Sequence, residues 1–295
     1  MTPSSAELSA LSRLFSSAVF RELAKHGHSA SFARLFEQAG LEGSCRPTAT
    51  VADGFDSAFA VLKQAGLRDE YVYRAALTHK ILMGKHSLNT ATMMTEFRTG
   101  SCKADLVILN GTATVYEIKS ERDSLARLMN QVMNYKKVFA AVNVIASEAH
   151  IDSVLATVPR DIGVMCLSTR DSIRTIRDAV AQPECVCPAT VFESLRSAEA
   201  RLIIERLGAS VPDVPNTRLR AAMRSVFATQ KPEAVHGAMV ATLKRTRSLS
   251  SLRDLVMRLP SSLQPAALSI RVTPREHASL IKGVSTPLIE AMSWE

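Results

Sequence analysis

The sequence predicts a mixed α/β protein, helical at both ends, and three observations carry that expectation. Apolar residues recur at helical spacing from residue 5 to 86, give way near residue 92 to short runs rich in Val, Ile and Tyr, and return to helical spacing beyond residue 190. A length of 295 residues is enough for roughly two domains, at least one with a full core.

Taken in order, Ser4 or Ser5 caps a segment in which Leu8, Leu11, Leu14, Phe15, Val19 and Leu23 share one face, and Gly27 stops it. A second amphipathic stretch begins near Asp56 and ends at Gly66, and a third runs from Asp69 to Gly84. Met93 to Phe97, Ala104 to Leu109 and Thr112 to Ile118 read as three strands, the last two joined by Asn110-Gly111, a strong hairpin signal. Ser120-Glu121-Arg122-Asp123 predicts a helix start through a capping-box variant, and Leu125, Leu128, Val132, Tyr135 and Phe139 form its apolar stripe. Strands at Ala141 to Ala146 and Gly163 to Leu167 follow, with a short helix at Asp152 to Val158 between them.

Pro183 and Pro188 suggest a boundary. Beyond it Val191 to Leu207, Arg218 to Ala228, Pro232 to Lys244 and Ser248 to Arg258 read as helices. The expected organisation is therefore a helical region over 1–90, a mixed core over 91–181, a basic helical domain over 191–259 and a tail over 260–295 without a clear signal.

Composition narrows the function classes. No apolar run approaches the roughly 18 residues needed to cross a bilayer and no secretory leader is evident, so a cytoplasmic protein with no membrane partner is expected. Five scattered cysteines (Cys45, Cys102, Cys166, Cys185, Cys187) complete neither a zinc pattern nor a disulfide framework and are expected as reduced thiols. Residues 1–190 carry 21 Lys and Arg against 19 Asp and Glu, and the remainder 15 against 9, so the net charge of +8 lies mostly in the C-terminal third. Such a field favours a polyanion, and nucleic acid is the expected partner. No nucleophile elbow or zinc-protease motif is present, and with no phosphate-binding loop no nucleotide cofactor is expected; any ATP-driven motor belongs to a separate ATPase or helicase partner.

The candidate chemistry sits on the hairpin. Asp105 opens one apolar run, while Glu117 and Lys119 close the next and share one face of their strand. For Asp105 to join them, the hairpin must pair Leu109 with Ala113 and Val107 with Val115, leaving Asn110, Gly111 and Thr112 as the turn; a two-residue turn would send Glu117 to the other face. Adjacent carboxylates repel unless a cation neutralises them, and hard oxygen ligands suit Mg²⁺ or Mn²⁺. The alternative is a plain ion pair at a strand end.

Glu96 on a first strand, Asp105 on a second, Glu117-x-Lys119 on a third and a helix with Gln131-x-x-x-Tyr135 together resemble the PD-(D/E)xK nuclease superfamily, and the Gln-x-x-x-Tyr element resembles its RecB-like branch. The run from Lys103 to Phe139 is also similar to a small family of poorly characterised bacterial and phage proteins of that superfamily. The resemblance covers roughly Met93 to Leu167, and Ala104 stands where the literal motif has proline. It implies a restriction-endonuclease-like αβββαβ fold and a metal-dependent nuclease, acting on DNA rather than RNA. Asp105, Glu117 and the Ile118 carbonyl would hold Mg²⁺ or Mn²⁺, Glu96 would join them directly or through water, and Lys119 would be the catalytic lysine. Gln131 and Tyr135 would sit beside the metal site and help place the strand. Lys103, Arg122 and Arg127 around the motif, with Lys244, Arg245 and Arg247 in the C-terminal domain, are the candidate phosphate contacts. The four-cysteine set of some RecB-like relatives is not evident, so no iron-sulfur cluster is expected. The alternative function is a catalytically silent nucleic-acid-binding or assembly protein with a nuclease-like fold.

Overall fold

The computed structural model describes every residue except Met1, Thr2, Glu42, Ser44, Cys45 and Ala65; the expected free thiol of Cys45 therefore lies outside the described residues. The chain runs α1 (Ser5–Leu14), α2 (Ser17–His26), α3 (Ala30–Gln38), α4 (Val51–Leu62), α5 (Glu70–Leu77), β1 (Thr92–Thr99), β2 (Cys102–Asn110), β3 (Thr112–Lys119), α6 (Leu128–Tyr135), β4 (Ala141–Ala146), α7 (Ile151–Thr157), β5 (Gly163–Leu167) and β6 (Ile173–Arg177). It continues through α8 (Pro188–Glu193), α9 (Ser197–Arg206), α10 (Asn216–Ala228), α11 (Pro232–Thr246), α12 (Arg253–Arg258), α13 (Gln264–Ser269), α14 (Pro274–Ser285) and α15 (Leu288–Ala291). This is the mixed α/β class expected, with helical termini. Among the described residues no helix is long and apolar enough to cross a membrane.

Two compact units partition the chain: Met1–Thr78 with Ser250–Glu295, and His79–Leu249. The first is all helical. The long N-terminal helix expected from its stripe is two helices, because Ser16 caps a fresh start at the Val19 amide, while Gly27, at φ 74°, ends the second as foreseen. Phe15, Phe55, Phe59 and Tyr71 form its aromatic centre, Phe15 stacking on Tyr71 at 4.7 Å. The segment read as a tail without clear structure belongs to this unit. Pro265 and Pro274 stand in the first turns of α13 and α14, where a missing amide costs nothing, and the Tyr71 hydroxyl donates to the Ser262 carbonyl at 2.6 Å.

The second unit is built on one six-stranded sheet in the order β1-β2-β3-β4-β5-β6. β1 to β3 are an antiparallel meander, β3, β4 and β5 run parallel, and β6 returns antiparallel on the edge. β4 and β5 are buried at every position, as parallel strands covered on both faces must be. Gly163 opens β5 because a side chain there would collide with the Asn143 amide oxygen, 2.0 Å from the position a Cβ would take.

The boundary expected at Pro183–Pro188 is not a domain boundary, and a separate basic domain over 191–259 is not found. Val191, Phe192, Ile203, Phe227 and Met239 share one hydrophobic core with Val107, Val115, Val142 and Val164 of the sheet. Pro188 stands in the first turn of α8, where proline starts a helix instead of breaking a fold. Helices α8 to α11 thus cover the sheet, and the chain past Leu249 belongs to the other unit.

Candidate active site

The site grows out of the β2–β3 hairpin. Leu109 pairs with Ala113 and Val107 with Val115, the register that brings Asp105 and Glu117 to the same end of the two strands. Gly111 at the tip has φ 74°, a conformation glycine adopts without a Cβ penalty. The ladder's last pair is Leu106 with Tyr116; one residue on, the Asp105 side chain takes over, its Oδ2 accepting the Ile118 amide at 2.8 Å. A strand residue that points its amide at one neighbour points its carbonyl there too, so the Ile118 carbonyl faces the β2 side beside Asp105.

Glu117 and Lys119 are both buried, and Lys119 Nζ donates to Glu117 Oε1 at 2.7 Å. Helix α6 completes the arrangement, because Gln131 and Tyr135, one turn apart, face the same way. Lys119 Nζ also donates to Gln131 Oε1 at 3.0 Å. The Tyr135 hydroxyl proton has two acceptors in reach, Glu117 Oε2 at 2.7 Å and the Lys103 carbonyl at 2.8 Å. Burial and then the negative charge of Glu117 push the Tyr135 phenol far above its ordinary value, which keeps it a neutral donor. The Lys119 carbonyl accepts the Ser147 amide at 3.1 Å, so the turn after β4 also borders the site. Ser147 carries no sequence signal and was not anticipated.

Several expectations need correction. Ser120 and Asp123 do bond reciprocally, Ser120 N and Oγ both donating to Asp123 Oδ2 at 2.9 and 2.7 Å, but they close a turn and no helix begins there. The serine hydroxyl donates to the carboxylate instead of accepting the Asp123 amide, which goes to the Ser120 carbonyl, and α6 starts only at Leu128. Tyr135 is fully buried against Glu117 and Lys103, so it supports the carboxylate and offers no surface to a DNA strand.

Glu96 does not complete a three-carboxylate cage. It adopts φ 53° where the β1–β2 ladder steps from Thr95–Leu106 to Phe97–Ala104, and its exposed carboxylate pairs with Lys103 at 3.2 Å. Among the described residues no group of three His, Cys, Asp or Glu side chains is placed to hold a metal. The oxygen donors brought together are the carboxylates of Asp105 and Glu117, with the Ile118 carbonyl beside them. These hard donors suit Mg²⁺ or Mn²⁺, provided the cation takes from Lys119 its share of Glu117.

The basic residues divide sharply. Arg122 and Arg127 are exposed near the site, Lys103 is exposed but paired with Glu96, and Arg245 is exposed with Lys244 half-buried at the end of α11. Arg247 is not a phosphate contact. Its Nε and Nη2 reach Glu199 Oε1 and Oε2 at 2.7 and 2.8 Å, and its guanidinium lies 5.2 Å from the Phe97 ring centre. Arg220 and Arg224 are likewise occupied, both by Glu193, at 2.9 and 3.1 Å.

Comparison with known proteins gives three findings. The profile of the family described as Bacteriophage P4 protein cII matches residues 63–267, well over half of the chain. Protein cII of Enterobacteria phage P4 is 33% identical over 108 residues, a match spanning 36% of this chain and 40% of that protein. The chain therefore matches less than half the length of this relative. A solved structure of a protein of unknown function from Silicibacter pomeroyi aligns over 45% of this chain and 86% of that one with a TM-score of 0.31 and 16% identity, a likeness too slight to carry an argument. On the extent of the first match, the chain belongs to the bacteriophage P4 protein cII family.

Proposed function

We propose that the chain is a metal-dependent nuclease that hydrolyses phosphodiester bonds in DNA, built in the manner of the PD-(D/E)xK superfamily. One observation carries the reading: Asp105, Glu117 and Lys119 meet at one end of the β2–β3 hairpin, bonded through the Ile118 amide, and α6 sets Gln131 and Tyr135 against them. Charges are kept out of sheet interiors unless they are paired or bind something, and this hairpin end holds three.

Asp105, Glu117 and the Ile118 carbonyl would hold Mg²⁺ or Mn²⁺. Bound there, the ion supplies Lewis-acid stabilisation and a water of lowered pKa. Tyr135 fixes the rotamer of Glu117 through Oε2. Gln131 anchors the Lys119 amine, which is then placed to orient the attacking water and offset charge on the phosphate oxygens. Exposed Lys103, Arg122, Arg127 and Arg245, with Lys244, supply phosphate contacts that give affinity without sequence preference.

The test is incubation of the purified chain with plasmid, linear and single-stranded DNA in Mg²⁺ or Mn²⁺, then with EDTA, beside Asp105→Ala and Lys119→Ala. Cleavage that needs the cation and falls by about 10²-fold or more in both variants is expected. Cleavage that persists in both variants removes the mechanism. A second reading, a nucleic-acid-binding protein without turnover, is favoured by the fact that both Glu117 oxygens are already satisfied by Lys119 and Tyr135. Binding without cation-dependent cleavage selects it.

A further inference from the structure

We infer that the outer face of α6 is a docking surface for single-stranded DNA, with Met129 and Met133 entering between unstacked bases. The inference rests on the nuclease reading and adds the form of its substrate. Helix α6 turns Gln131 and Tyr135 inward to Lys119 and Glu117. The opposite side of the same helix carries two methionines one turn apart, 44% and 48% exposed. Large apolar side chains on a solvent face mark an interaction site when they stand together, and methionine adapts to irregular partners.

Charge identifies the occupant. From Ser124 to Val138 the chain holds no Asp or Glu, while Arg127 precedes α6 and Lys137 follows it, both exposed. The carboxylates that flank this segment are engaged, Asp123 by Ser120, Glu96 by Lys103 and Asp161 by Lys136. Asn130 and Asn134 stand beside the methionines on the same helix, the Asn130 amide donating to Cys102 Sγ at 3.8 Å and the Asn134 amide to the Asn130 carbonyl at 2.9 Å. An apolar stripe bounded by cations, with no acidic residue of its own and the flanking carboxylates paired, suits a chain with phosphates on its rim and apolar ring faces between them.

Spacing identifies the strand's state. Four helical residues rise about 6 Å, close to twice the 3.4 Å between stacked bases, so two such side chains match a step opened to admit one of them. Opening a paired, stacked duplex step costs a few kcal/mol, and an unpaired strand avoids most of that cost.

The experiment uses the full chain in EDTA, so that binding is read without cleavage. A fluorescein-labelled single strand and the same strand annealed to its complement are titrated by anisotropy against wild type, Met129→Ser/Met133→Ser and Met129→Leu/Met133→Leu. The wild type should prefer the single strand; the serine pair should bind it about tenfold more weakly with duplex affinity unchanged, and the leucine pair should match wild type. In parallel, peroxide oxidation read by peptide mass spectrometry should show the single strand protecting Met129 and Met133 but not Met257, which is 77% exposed. Unchanged affinity in the serine pair, or no protection, overturns the inference while leaving the nuclease reading in place. Equal loss on both DNA forms also overturns it, as does a wild-type dimer by light scattering that the serine pair abolishes. A wild type that binds neither DNA form overturns both readings.

Discussion

The Lys119 ammonium lies 2.7 Å from Oε1 of Glu117, with only 8% and 1% of the two side chains exposed. At that depth the cost of desolvating two ions offsets much of their attraction, so the pair serves geometry more than stability. Removing one partner should be costly because it strands the other. Glu117→Ala is expected to destabilise by about 3–5 kcal/mol in urea unfolding, while Glu117→Gln with Lys119→Met should recover most of that loss. A single variant costing no more than a surface ion pair would show that solvent reaches the site.

Tyr135→Phe removes the one hydroxyl proton that Glu117 Oε2 and the Lys103 carbonyl share. The expected cost is about 1–3 kcal/mol, with cation-dependent cleavage reduced and DNA affinity in EDTA unchanged. Burial and the neighbouring Glu117 raise the phenol, so its ultraviolet titration should not begin below pH 10 in the folded protein.

Arg247→Ala should unfold the protein more readily by about 3–5 kcal/mol, because Glu199 is left buried without its bidentate partner. It should not alter the salt dependence of DNA binding, whereas Lys244→Ala/Arg245→Ala should flatten it. Burial acts to raise the Glu199 carboxyl, but Arg247 and the Arg196 amide outweigh it and hold the group below 4.5. A depressed carboxyl stabilises the fold above its unfolded value, and that stability is lost as pH falls through the folded one. Wild type should therefore lose stability below about pH 4.5 more steeply than Arg247→Gln does, measured by urea midpoints across pH.

His236 on α11 accepts the Ala113 amide of β3 through Nε2 at 3.3 Å, which requires the neutral ring. Burial lowers its pKa below 6.5. The unfolded chain then binds the proton more readily, so the contribution is complete above pH 6.5 and diminishes as pH falls from there. The melting temperature should drop between pH 7.5 and 5.5, and His236→Gln, which retains an acceptor, should flatten that dependence. Equal slopes in both proteins would assign the acid sensitivity to other groups.

Much of the candidate site was legible because it is local. Asp105, Glu117 and Lys119 lie within one hairpin, where alternation and a glycine turn decide which side chains share a face, and Gln131 and Tyr135 lie one helical turn apart. Glu96 was not legible in the same way. Its left-handed φ turns the strand aside at one residue, and no periodicity records that. β6 escaped notice because Ile-Arg-Thr-Ile-Arg on an exposed edge has no clear alternation, and the helices of the last 35 residues because their prolines look like breaks until they are seen in first turns.

By itself the sequence determined the α/β class, the hairpin and the acidic and basic groups at its open end, since each follows from periods of two or 3.6 residues and from the steric freedom of a glycine; it left two hairpin registers open, and the structure chose the one that puts Asp105 and Glu117 together. Only the tertiary structure decided which charges find partners. Arg247 looked like a phosphate contact and is held by Glu199, 48 residues away in the chain. It also decided that α8 to α11 close over the sheet instead of forming a domain of their own, because burial and ion pairing depend on distances that chain folding, not sequence spacing, sets.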